Sequence, residues 1–101
     1  PMTVLTADKQ YIDWGNFGQA EIQEEKVILT NTGTDTLYIS AIESSCECTT
    51  VHGDSPVPTG ECTTLTIHFR AEEEGEFERF IHVHCNVPES PIEISVKGKV
   101  Q

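Results

Sequence analysis

Apolar and polar side chains alternate most clearly in the last third of the chain. Leu65, Ile67 and Phe69 alternate with Thr64, Thr66 and His68. Ile92, Ile94, Val96 and Val100 alternate with Glu93, Ser95, Lys97 and Lys99. Between them, Phe77, Ile81, Val83 and Cys85 share one parity, broken by Arg79 and opposed by Glu78, Phe80, His82 and His84. A period of two predicts strands with one face buried and one wet. Earlier elements are shorter. Tyr11-Ile12-Asp13-Trp14 is brief and aromatic, and Gly15 and Gly18 bracket the Asn16-Phe17 that follows. Glu21 to Leu29 contains Val27-Ile28-Leu29 and runs into the turn-rich Asn31-Thr32-Gly33-Thr34-Asp35. Leu37-Tyr38-Ile39 begins another strand with Leu37 and Ile39 on one face, and Thr49-Thr50-Val51 offers a short one. The segment 53–60, with two glycines and two prolines, reads as a loop, and Glu72-Glu73-Glu74-Gly75 as a turn.

About seven short strands separated by turn signals predict an all-β, immunoglobulin-like antiparallel β-sandwich. Facing two sheets removes both apolar faces from water. The 101 residues fit a single domain, 1–101, with no repeat or dividing linker. Trp14 stands near the start of the chain, so the Cys-Trp-Cys spacing of true immunoglobulin domains is absent.

Charge narrows the partners. Seventeen acidic residues against six basic ones give a formal charge of −11. With no basic patch to gather phosphates, nucleic acid and anionic membrane surfaces are poor ligands. No segment approaches the roughly 20 apolar residues of a membrane span, so no direct membrane insertion is expected. The run from Glu72 to Glu78 is a solvated connection by default, and a weak calcium or basic-partner site as the sharper alternative. No nucleophile–base motif, glycine-rich phosphate cradle or dinucleotide motif is present, so an enzyme is not expected.

The densest candidate chemistry is Cys46-Glu47-Cys48-Thr49. Cys46 and Cys48 project to the same side of an extended segment. Joining them directly would strain a small ring, whereas bridges to Cys62 or Cys85 reach more easily. Such a bridge typically contributes about 2–4 kcal/mol. Cys46, Cys48, Cys62 and Cys85 are therefore candidate disulfide residues, with the pairing open. The alternatives are buried or simply free thiols, or zinc or copper bound by Cys46, Cys48, His82 and His84, while a Cys-x-Cys redox pair has less support still. His82 and His84 otherwise read as hydrated side chains on an outer face. Phe80 shares their parity, so Phe80, His82 and His84 form a candidate partner surface.

Several of these motifs occur in one order that resembles the DUF1573 family, immunoglobulin-like domains related to major-sperm-protein-like and ASPM-SPD-2-Hydin domains. They are Asp13-Trp14-Gly15, with Trp14 where phenylalanine is usual, Asn31-Thr32-Gly33, Leu37-Tyr38-Ile39, Cys46-Glu47-Cys48-Thr49 and, more loosely, Pro58-Thr59-Gly60-Glu61. Phe69, Gly75, Asn86 and Gly98-Lys99-Val100 complete the pattern over roughly residues 11 to 100. Two departures stand out. Glu47 replaces a glycine, and Cys62 and Cys85 are additional to the usual cysteine pair. The family carries no settled activity. The expectation of a non-enzymatic structural or protein-binding module without a cofactor therefore rests on a sandwich lacking a reaction centre, and the resemblance reinforces it. The resemblance itself implies the bacterial periplasm, cell envelope or secreted fraction. A protein partner is expected, and the oligomeric state stays open.

Overall fold

The computed structural model describes residues 1–45 and 49–101. Its strands are β1 (Leu5–Ala7), β2 (Tyr11–Phe17), β3 (Gln23–Asn31), β4 (Ile39–Ser44), β5 (Thr49–His52), β6 (Cys62–Phe69), β7 (Gly75–Cys85) and β8 (Ile92–Val100). They form two four-stranded sheets, in the order β1-β3-β6-β5 and β2-β8-β7-β4. All pairings are antiparallel except β2 with β8, which is parallel. The expected sandwich is present, with one more strand than the sequence pattern suggested.

The extra strand and the parallel pair have one cause. The N-terminal segment starts on β3 of the first sheet as β1, then crosses at residues 8–10 to join β8 of the second sheet as β2. Asp8 holds the crossing: its carboxylate accepts the Ile28 N–H at 2.8 Å, while its own N–H donates to the Ile28 carbonyl at 3.0 Å. Lys9 then reaches Glu25 of β3 at 2.7 Å. That hydrogen-bonded ion pair raises the Lys9 pKa. Three residues of β1 are too few for a periodic signal.

Alternation places Val27 and Leu29 of β3, Leu65 and Ile67 of β6, Ile81 and Val83 of β7, and Ile94 and Val96 of β8 in the core, all fully buried. Each aliphatic side chain removed from water contributes roughly 1.5–3 kcal/mol, which is what holds two otherwise half-wet sheets together. Leu37 is fully buried too, but it makes an isolated bridge to Val57 and does not begin β4.

At one end, Phe17, Phe69, Ala71 and Val100 form a second apolar cluster with Trp14 and Phe77 against it. Phe69 and Phe77 stack with centroids 4.4 Å apart. Arg79 explains the break in the β7 pattern, because its guanidinium lies 5.8 Å from the Phe77 ring centre.

At the other end a buried polar hub replaces aromatic packing. Asn31 is fully buried, accepts from the Thr3 hydroxyl at 2.8 Å, and donates to the Asp35 and Val57 carbonyls at 2.8 and 2.9 Å. It also accepts the Gly33 N–H at 3.1 Å. A Cβ at position 33 would collide with Thr3 Oγ1 and the Val4 amide, so this Asn-Thr-Gly sequence is set by close approach of the N-terminal segment. Asn86 ties the neighbouring strand ends by donating to the Pro1 and Thr36 carbonyls and accepting the Tyr38 N–H.

Candidate functional site

The outer face of the second sheet carries the candidate surface. On β7, Ile81 and Val83 point into the core, so Phe80, His82 and His84 point outward, as their parity predicted. Register then sets their neighbours. Phe80 and Tyr11 both lie opposite Ser95, on either side of β8. Tyr11 is 88% exposed, while Ser95 between the two rings is only 8% exposed. Two aromatic side chains thus flank a small, covered residue on a face that is otherwise charged.

The next row of this face reads Glu93, His82 and Glu43 across β8, β7 and β4. His82 Nε2 lies 3.2 Å from Glu93 Oε2, and His84 Nε2 contacts Glu43 Oε1. Each histidine is therefore matched to a carboxylate on a different neighbouring strand. On the far side of the aromatic row, Asp13, Lys97 and Glu78 lie side by side, followed by Asn16, Lys99 and Glu76. Together these residues line a shallow groove of about 590 Å³ beside the β2 irregularity at Gly15. Gly15 has φ of 66°, a conformation glycine adopts freely.

The cysteines are placed differently. Cys62 is exposed at the start of β6 in the first sheet, and Cys85 is half-buried at the end of β7 in the second. Both are free thiols and do not bridge each other. They sit opposite Thr30 and Ile39 in separate sheets, and the core between those sheets is occupied by aliphatic side chains. Burial pushes the Cys85 thiol pKa up, which disfavours its thiolate. Cys46 and Cys48 lie outside the described residues.

The expected cysteine–histidine metal site lies only in part within the described residues. Its histidines are engaged with Glu93 and Glu43, and its cysteines are not among the described residues. Among the described residues no group of three or more histidine, cysteine or carboxylate side chains could hold a metal ion. Among the same residues, no helix is long and apolar enough to cross a membrane.

Sequence reasoning found Phe80, His82 and His84 but missed Tyr11, Ser95, Glu93 and Glu43. The period of β8 marked Glu93 and Ser95 as outward. Only the parallel β2–β8 register brings Tyr11 to the same row, and no local pattern encodes that pairing.

An eight-stranded sandwich whose first segment serves both sheets, pinned by a buried asparagine at one end and an aromatic cluster at the other, defines a class of immunoglobulin-like domains. The chain belongs to one family within it: residues 5–100 match the family described as protein of unknown function (DUF1573). Among curated proteins, none matches this sequence. Solved structures share the fold. A protein of unknown function from Porphyromonas gingivalis W83 is similar over 97% of this chain, with a TM-score of 0.86 and 23% identity. The match takes up 47% of that protein, so this chain spans about half its length. The ASH/PapD-like domain 7 of human CEP192 gives a TM-score of 0.80 at 14% identity, over 100% of this chain and 87% of that one. WR4, a major-sperm-protein family member from C. elegans, gives 0.61 at 18% identity, over 98% and 99% of the two chains.

Proposed function

We propose that the chain is a non-enzymatic protein-binding module of a bacterial cell-envelope or secreted protein, and that it recognises its partner through the outer face of the second sheet. The observation that carries this reading is the exposed Tyr11 ring paired across Ser95 with Phe80, bordered by the Glu93–His82 and Glu43–His84 pairs. Aromatic side chains with an apolar body are the usual anchors of protein interfaces. Surrounding charges add orientation and selectivity more than raw affinity. Family membership and the fold shared with PapD-like and major-sperm-protein domains support a binding role. The similarity to a Porphyromonas gingivalis protein supports a bacterial setting.

Quantitative co-purification from the native cells, using the full-length protein, tests the reading. Tyr11→Glu changes a ring that is 88% exposed and leaves the core untouched. Thr64→Glu places the same charge on the outer face of the first sheet, where Thr64 is exposed. The expected result is a partner retained by wild type and Thr64→Glu and lost by Tyr11→Glu. Equal retention by both variants would contradict the assignment of this face.

A further inference from the structure

Charges are unevenly distributed over the outer face of the second sheet, and that asymmetry identifies what fits it. At the β2-bulge end, Lys97 stands between Asp13 and Glu78, and Lys99 between Asn16 and Glu76. Those carboxylates have a cation on the adjacent strand. At the other end of Tyr11 and Phe80, the row Glu93, His82, Glu43 contains no lysine or arginine. Glu43 and Glu93 remain 65% and 57% exposed despite their histidine contacts, so both keep oxygen lone pairs open to solvent. Strands lie about 4.8 Å apart, so the strands bearing Glu43 and Glu93 are roughly 10 Å apart with β7 between them.

We propose that the occupant of this face is an arginine-bearing segment of another protein, whose guanidinium lies over the Glu93–His82–Glu43 row beside Phe80. This rests on the binding reading above and names the chemistry of the partner. Arginine fits better than lysine because a planar guanidinium pairs with carboxylate oxygens and stacks on an aromatic ring at once. Tyr11 and Phe80 supply the ring surface, and Glu43 and Glu93 the negative charge. Other occupants fit poorly. A second copy would bring another formal −11 to the interface, and nucleic acid or an anionic bilayer would meet the same repulsion.

Titrating the ¹⁵N-labelled domain with a capped Thr-Arg-Tyr-Arg-Thr peptide, followed by amide chemical shifts, tests the proposal. Shifts are expected at Glu43, Phe80, His82, Glu93 and Ser95. Replacing both arginines of the peptide by citrulline, which keeps shape and removes charge, should weaken binding about tenfold, or roughly 1.4 kcal/mol. The double variant E43Q/E93Q should weaken it to a similar degree, while E72Q/E74Q, an equal charge change in the 71–74 turn, should alter it less than twofold. Equal loss in the two double variants would overturn the proposal in favour of non-specific attraction to an acidic protein. Absence of shifts at the named residues would also overturn it. If the citrulline peptide bound the same face equally well, the arginine assignment would fall and the face would stand as the recognition surface.

Discussion

The two outer faces of the sandwich follow the same alternation rule and reach opposite results. On the first sheet, Glu24, Lys26 and Ile28 of β3 and Thr64 and His68 of β6 are all exposed, Glu24 and His68 meeting across the register at 3.7 Å. On the second, Phe80, His82 and His84 are only partly exposed and Ser95 is buried, while Tyr11, Glu43 and Glu93 around them stay exposed. Outward parity therefore does not by itself produce a solvated face. Large side chains on adjacent strands cover one another when register puts them in the same row. The first face carries no phenylalanine, tyrosine or tryptophan ring in its described rows and is mostly wet. The second is a partly assembled surface with aromatic centre and charged margin, which is how interface patches are built.

Introducing the same charge into both faces should give the largest contrast. Ser95→Asp buries a carboxylate between Tyr11 and Phe80 and should lower stability by about 2 kcal/mol or more. For a domain of this size that corresponds to a fall in Tm of roughly 8–16 °C in a thermal scan. Thr64→Asp, on the exposed face, should stay within about 0.5 kcal/mol of wild type. Equal effects would remove the distinction between the faces.

Truncating the apolar members sharpens the comparison at a smaller scale. Phe80→Ala should cost about 1–2 kcal/mol in urea unfolding, because part of the ring is already out of water. Ile28→Ala should cost less than about 1 kcal/mol, since the side chain keeps 41% exposure in the fold. A larger loss at Ile28 would show that the first face is packed against something the fold does not show.

The smallest effect is chemical and involves no change in stability. Alkylation at pH 8 with peptide-resolved mass spectrometry should modify Cys62 before Cys85. Cys62 is exposed on the first sheet, whereas Cys85 is half-buried on the second. Its raised pKa leaves less thiolate at any pH below that value, so its reaction rate should climb only as pH increases further. Faster reaction at Cys85 would contradict that burial.

Much of this architecture was legible in the sequence because β6, β7 and β8 carry long period-two runs. Even the irregular Arg79 has a local cause in Phe77. Other elements were not legible. Leu5–Ala7 is too short to show a period, and Leu37 looked like a strand residue because burial, not ladder pairing, dictated its identity. The Asn31-Thr32-Gly33 sequence announced a turn but not its hub, since Thr3, Asp35 and Val57 converge on Asn31 only through tertiary structure. The candidate surface divides the same way. Phe80, His82 and His84 follow from parity along one strand, whereas Tyr11 and Glu43 arrive through the pairing order of four strands. Cysteine spacing left bridges and free thiols both open, and it could not tell that Cys62 and Cys85 lie in different sheets.

Site-specific photo-crosslinking in the native cells reads out which outer face meets the partner. A photoreactive phenylalanine analogue at Tyr11 places the probe at the aromatic centre of the second face, and the same analogue at Thr64 places it on the first. A discrete crosslinked protein is expected from position 11 and none from position 64, with both variants melting at the wild-type temperature. A discrete product from position 64 alone, or the same product in equal yield from both positions, would contradict it.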